Sequence, residues 1–266
     1  MPAGTRRLRT PRTVGEGLRK VGKLARLSPH PDYLRALRHG VAAAVEHERV
    51  PFAHHFATVV DVGAGRGQFA LVARRRYPSA TLHCFEPLAH AREKLAAVVG
   101  RDVRVHAIAL GSTNTPTHFH VSEKGDSSSL LPITDRQVEA FPGTSEAGQI
   151  VVNRARLDEI LTPQALTRPS LLKIDVQGYE LEVLQGAERV IHLIDEVLVE
   201  CSFTELYAGQ PLADEVVCYL RPKGFELAGV FSMARDEAGR CLQADFHFRR
   251  RGSLEAPTVP SENQRD

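Results

Sequence analysis

Val59-Val60-Asp61-Val62-Gly63-Ala64-Gly65-Arg66-Gly67-Gln68 runs a β-branched stretch into a glycine-rich turn, and a helical pattern follows from Gln68 to Tyr77. β-branched residues fit a pleated strand, and glycine lets backbone N–H groups approach a ligand closely. Strand, glycine turn and helix in this order open a nucleotide-binding βαβ unit. A dinucleotide fingerprint, G-x-G-x-x-G, requires a third glycine at position 68, where this chain carries Gln68. Instead an acid, Asp61, stands two residues before Gly63. A carboxylate at the strand's end accepts hydrogen bonds from an ammonium group and repels a pyrophosphate. The turn therefore suits the amino-acid end of S-adenosylmethionine better than a dinucleotide.

Outward from this turn the chain alternates short apolar runs with helical stretches. Thr81 to Phe85 reads as a strand, His90 to Val99 as a helix and Val103 to Leu110 as a strand, a spacing that predicts parallel βαβ units. Glu86 ends the second strand, 23 residues after Gly63, where an acid can accept both hydroxyls of a ribose. Residues 111 to 150 break the rhythm, being rich in Gly, Ser, Thr and Pro with one strand at Thr117 to Val121, and read as a functional insertion. The alternation resumes with strands at Leu171 to Asp175 and Glu196 to Cys201 and helices at Tyr179 to Val190 and Ala213 to Arg221. Phe225 to Phe231 and Ala244 to Arg249 form a hairpin across Asp236 to Gly239.

The expected fold is α/β, Rossmann-like, with a mostly parallel seven-stranded sheet, an antiparallel last strand and helices on both faces. Ligands of such sheets lie at the carboxyl ends of the strands. Asp175 and Glu200 end neighbouring strands there and are the candidate catalytic acids. Lys173 is read as turned away from Asp175 and paired with an acid elsewhere, in a structural role.

Composition bounds the alternatives. Apolar residues make up 42% and charged residues 25% of 266, ordinary values for a globular domain. No unbroken apolar run exceeds five residues, whereas a spanning helix needs about 20. Cys84, Cys201, Cys218 and Cys241 have no C-x-x-C spacing, which with the lack of a signal peptide points to a reducing cytoplasm. His54-His55 and His118-x-His120 make no complete metal set. Residues 1 to 50 carry eleven Lys/Arg against four Asp/Glu and read as a basic arm, disordered in part up to about Arg26, followed by a packing helix from Asp32 to Arg49. Residues 51 to 250 form the main domain and 251 to 266 a disordered tail. Aromatic residues are scarce at 6%, there is no Pro-Pro, and no cysteine follows Pro or Thr, so nothing favours a nucleic-acid partner.

Asp61 to Gln68, Phe85-Glu86-Pro87, Ala109-Leu110-Gly111, Ser127 to Leu130, Leu157-Asp158, Lys173 to Glu180 with Leu184-Gln185-Gly186-Ala187, and Glu200 with Phe203 to Tyr207 together resemble the FkbM-type methyltransferases. The resemblance spans residues 58 to about 249, and Lys173 to Ala187 is its most specific block; the first 50 residues inherit nothing from it. It implies a class I fold with S-adenosylmethionine as cofactor, contacted by Asp61, by the turn residues Gly63, Ala64, Gly65 and Gly67, by Glu86 with Pro87, and around Ala109. It further implies O-methylation of a sugar, polysaccharide precursor or natural product. Asp175 is then the expected base, with Glu200 second, or the two acids hold a divalent metal ion that acidifies the hydroxyl. The rival reading is a non-catalytic cofactor-binding protein that docks on a membrane or a glycan-assembly complex. Expected partners are a small-molecule or glycan acceptor and, weakly, a membrane surface touched by the basic arm.

Overall fold

The computed structural model describes residues 26–100 and 102–252. The disorder expected of the arm's first 25 residues and of the tail beyond Gly252 lies outside the described residues. Along the chain run α1 (Pro31–Arg38), β1 (Thr58–Val62), α2 (Gln68–Arg76), β2 (Thr81–Phe85), α3 (Ala89–Val99), β3 (Val103–His106) and β4 (Ala109–Leu110). The insertion and its flank hold β5 (Thr117–Ser122), α4 (Asp135–Ala140), β6 (Glu146–Val152), β7 (Arg154–Ala155) and α5 (Leu157–Ile160). Then come β8 (Ser170–Ile174), α6 (Glu180–Gln185), β9 (Glu196–Ser202), α7 (Ala213–Leu220), β10 (Phe225–Arg235) and β11 (Cys241–Arg250).

The main sheet has seven strands in the order β10-β11-β9-β8-β1-β2-β3. β1 pairs in parallel with β2 and with β8, whereas β11 is antiparallel to both β9 and β10. Every residue of β1 and β8 is buried, because a central parallel strand is covered on both faces. Val59 and Leu171 join the core under α2, α3 and α1, while Val60, Val62, Leu172 and Ile174 face the core under α6 and α7. The strand order reverses at β1, and this switch point opens a crevice at the carboxyl ends of β1 and β8.

Three elements depart from expectation for local reasons. The expected helix from Asp32 to Arg49 stops at Arg38, because Gly40 adopts φ +72° and the chain leaves the helix there. Val41, Ala43, Ala44 and Val45 are buried all the same, so an apolar stretch of helical spacing is packed as extended chain running into a 3₁₀ turn at Val45–Arg49. The expected strand from Val103 to Leu110 divides: β3 pairs with β2 only as far as His106, and β4 pairs with β7 in a separate two-stranded sheet. In the insertion β5 finds an antiparallel partner, β6, which the sequence pattern hides because six of its seven residues are exposed. The expected helix from Tyr179 to Val190 shortens to α6. A Cβ at Gly186, just past its end, would overlap the Gly111 carbonyl oxygen, so this glycine lets the β4 layer pack against the helix end.

Candidate active site

A cavity of about 400 Å³ lies at the carboxyl ends of β1, β2 and β8, within the size range of small-molecule sites. The glycine turn forms one edge. Gly63, Gly65 and Gly67 all have positive φ, at +75°, +52° and +93°. Gly63 and Ala64 donate their N–H groups to Phe85 O, each at 3.0 Å, which ties the turn to the end of β2. Gly63, Ala64, Gly65, Glu86, Pro87 and Ala109 all line the cavity. Gly67 is not on the wall: a Cβ there would crowd Val99, Leu95 and Val98 of α3 at 3.0 to 3.3 Å, so glycine at this position serves helix packing.

Glu86 accepts hydrogen bonds from Gly65 N (2.9 Å, Oε2) and Leu88 N (2.8 Å, Oε1). Each oxygen keeps a second lone pair. Burial outweighs these backbone contacts and pushes its pKa up to about 7.

Asp175 reaches the cavity with a side chain 34% exposed. Asp61 does not: its carboxylate is 2% exposed, burial raises its pKa, and Lys173 Nζ, 3.3 Å away, stands on the wall in its place. Lys173 also lies 3.4 Å from Asp175 Oδ2. Residues two apart on a strand share a face, so Lys173 sits beside Asp175 and is not turned away from it.

Gln177 is the residue that the sequence pattern leaves unweighted. It holds φ +60°, a left-handed conformation that costs a non-glycine residue roughly 1 kcal/mol or more, and Gly178 follows at φ +96°. Its amide Nε2 donates to Asp175 Oδ1 (2.7 Å) and to Glu200 Oε2 (2.8 Å). Ser129 Oγ donates to its carbonyl oxygen at 2.6 Å, and the Tyr207 hydroxyl lies 2.8 Å from its Oε1. Glu200 therefore stands behind Gln177, away from the cavity wall, with Gln243 Nε2 on its other oxygen at 2.6 Å. Burial, with Asp175 and Asp245 close by, pushes Glu200 well above the usual carboxylate range. Asp175 and Glu200 thus share an amide donor where the metal reading would place an ion. Among the described residues no group of three His, Cys, Asp or Glu side chains is arranged to hold a metal.

Part of the cavity wall comes from the N-terminal segment. Gly40, Ala42, Ala44 and His47 line the cavity, and Ala44 N donates to Gln68 O at 2.9 Å. His47 Nε2 pairs with Asp245 Oδ2 of β11 at 3.1 Å, fastening this segment to the sheet. His47→Ala leaves Asp245 buried without that partner, and an expected loss of about 1–3 kcal/mol should appear as a lower urea midpoint. An unchanged midpoint would show that the wall does not depend on this pair.

The methyltransferase FkbM domain matches this chain over residues 61–227. The chain belongs to the FkbM methyltransferase family. Its sheet order and family together make it a Rossmann-like class I methyltransferase. Over 181 residues this FkbM methyltransferase is 28% identical to the 2-O-methyltransferase NoeI of Sinorhizobium fredii, covering 65% of this chain and 74% of NoeI. It is 26% identical over 196 residues to the 31-O-demethyl-FK506 methyltransferase FkbM of Streptomyces tacrolimicus, covering 63% and 72% of the two chains. It is also 28% identical over 203 residues to the AMB antimetabolite synthetase AmbE of Pseudomonas aeruginosa; that match covers 65% of this chain but only 10% of AmbE. His47, on the cavity wall, and its partner Asp245 both fall outside the matched residues 61–227. No helix among its described residues is long and apolar enough to cross a membrane.

Proposed function

We propose that this FkbM methyltransferase transfers a methyl group from S-adenosylmethionine to a hydroxyl of a sugar, polysaccharide precursor or natural product, with Asp175 as the base. The observation that carries this reading is the Asp175 carboxylate, reachable from a cavity whose other edge is the glycine turn and Glu86. Glu86 fits the nucleoside end of the cofactor, because each of its oxygens keeps a lone pair for a ribose hydroxyl. When bound, S-adenosylmethionine supplies an electrophilic methyl group on a sulfonium. The protein's own part is to position the acceptor and take its proton. An alcohol is a weak nucleophile until that proton leaves, and Asp175 Oδ2, the oxygen not engaged by Gln177, is placed to receive it. NoeI, named as a 2-O-methyltransferase, supports a hydroxyl acceptor. The four free cysteines suit the cytoplasm as the place of action. The test is methyl transfer from labelled S-adenosylmethionine to a panel of glycosides, polyols and amines, where labelled ethers are expected and labelled amines alone would overturn the O-methyl reading.

Glu86 makes this reading sensitive to pH. Its raised pKa of about 7 means that the carboxylate, the form that accepts ribose hydroxyls, is lost as pH falls through neutrality. From pH 8 to pH 6, cofactor affinity is expected to fall about tenfold in the wild type, and Glu86→Gln should flatten that part of the dependence. Calorimetric titrations of both proteins at these pH values check it, and identical slopes would contradict it.

The basic arm, whose first 25 residues are outside those described, is proposed to add a weak, salt-sensitive attraction to anionic membranes, about 1 kcal/mol per basic residue near the surface. Equal vesicle sedimentation with and without residues 1 to 26 would remove that role.

A further inference from the structure

Asp61, the acid expected to repel a pyrophosphate from the glycine turn, is sealed behind the Lys173 ammonium and does not face the cavity. Another feature has to keep phosphates off the turn, and the turn's own donors supply it. Gly63 N and Ala64 N donate to Phe85 O, and Gly65 N to Glu86 Oε2. Arg66 N donates to Gln68 Oε1 at 2.9 Å, and Gly67 N to Ala64 O at 2.9 Å. Every N–H from Gly63 to Gly67 is therefore engaged within the chain. A phosphate-binding turn works the opposite way, leaving such amides for the ligand's oxygens.

Gln68 stands where a dinucleotide fingerprint has its third glycine. Its side chain folds back over the turn, so that a Cβ at Gly65 would lie 3.2 Å from Gln68 Oε1. Gln68 Nε2 donates to Asp126 Oδ2 at 3.2 Å, and the Arg66 guanidinium donates to the same oxygen. Asp126 belongs to the 3₁₀ turn Gly125–Ser127 of the insertion, and its side chain is 46% exposed. Arg66, Gln68 and Asp126 all line the cavity. The cation beside the turn is thus matched by an acid from across the cavity, and its backbone amide is matched by Gln68.

We infer that Gln68 and Asp126 determine the class of ligand this turn accepts: Gln68 withholds the Arg66 amide, Asp126 withholds the Arg66 guanidinium, and nucleosides without a phosphate at the 5′ position are selected over nucleotides. This rests on the reading of the cavity as a nucleoside site with Glu86 on the ribose. An acid at the end of the second strand holds the ribose, which leaves the 5′ substituent facing the glycine turn. A phosphate placed there gives up water and finds amides already bonded and a carboxylate at the rim, a loss without compensation. The sulfonium of S-adenosylmethionine carries no oxygens that need those donors. Gln68→Glu keeps an acceptor for Arg66 N and should keep the selection, whereas Gln68→Ala opens that amide.

Calorimetric titration with adenosine and with adenosine 5′-monophosphate reads the selection without any methyl acceptor. The wild type is expected to bind the monophosphate at least about tenfold more weakly than adenosine. The double variant Gln68→Ala/Asp126→Asn frees one amide and one guanidinium, and the ratio of the two dissociation constants is expected to shrink by about tenfold or more. Gln68→Glu should leave the ratio near the wild-type value or widen it. Asp126→Asn alone, a change at the half-exposed rim, gives a smaller shift in the same direction and serves if the double variant is unstable. A monophosphate bound by the wild type as tightly as adenosine would overturn the inference, as would a ratio unmoved in the variants or a wild type that binds neither ligand. S-adenosylmethionine is titrated separately: its failure to bind a wild type that still prefers adenosine would sink the cofactor reading and leave the selection standing.

Discussion

Asp175→Asn is expected to lower turnover by about two to four decades while leaving S-adenosylmethionine affinity and the unfolding midpoint close to wild type. The fold does not depend on the charge. Asp175 N donates to Val62 O at 3.0 Å, a backbone bond that the substitution keeps, and an Asn oxygen can still accept from Gln177 at the position of Oδ1. A helix-capping role for Asp175 is already filled by another acid. Glu180 Oε1 accepts from Val176 N at 3.1 Å and from Gly178 N at 3.0 Å, so it secures the turn that leads into α6. What the Asn variant lacks is a group able to take the acceptor's proton. Turnover is measured with and without EDTA as release of S-adenosylhomocysteine. Chelator sensitivity reversed by Mg²⁺ or Mn²⁺ would move the role of Asp175 to metal binding. Near-normal turnover would send the search for the base to the loop from Ser127 to Ser129 or to Glu200.

Gly63→Ala is expected to be the most damaging glycine-to-alanine change among the described residues, costing about 4 kcal/mol or more, or preventing folding. Its Cβ would overlap the Asp175 carbonyl oxygen, a backbone atom of a strand end hydrogen-bonded to Val62. Its φ of +75° adds strain of roughly 1 kcal/mol for any residue with a side chain. Gly65→Ala is the matched control. It also has positive φ, but its Cβ would meet only the flexible end of Gln68, 3.2 Å from Oε1. Urea denaturation of the two variants separates the clash from the strain. Equal midpoints would show that β1 and β8 can part more easily than their close approach implies.

These two glycines show what was legible in the sequence and what was not. A β-branched run ending in Gly63-Ala64-Gly65 marks a strand and a ligand turn, because local chemistry alone fixes both. The same holds for Glu86 and Asp175, which strand ends deliver to the cavity. Gly67 looked alike but packs against α3, a contact that depends on a helix about thirty residues further on. Glu200 reaches the right strand end, yet Gln177 folds over it through a left-handed backbone, and no periodicity reports a positive φ. Asp61 sits where expected along β1, but the ammonium in front of it comes from β8, so the wall carries the opposite charge. Lys173 was within reach of sequence reasoning, since strand alternation puts it on the same face as Asp175. The His47 wall was not. Its segment mimics a helix in spacing, and its fastening partner Asp245 lies 198 residues away.

S-adenosylmethionine binding is tested most directly by calorimetric titration of the 266-residue chain with S-adenosylmethionine and, separately, with NAD. Gly65→Val forces a β-branched side chain onto a backbone at φ +52° and disturbs the N–H that binds Glu86, so it serves as the site control. The wild type is expected to bind S-adenosylmethionine, Gly65→Val to abolish this binding, and NAD to give no heat; tight NAD binding with no measurable affinity for S-adenosylmethionine would contradict the assignment of the site.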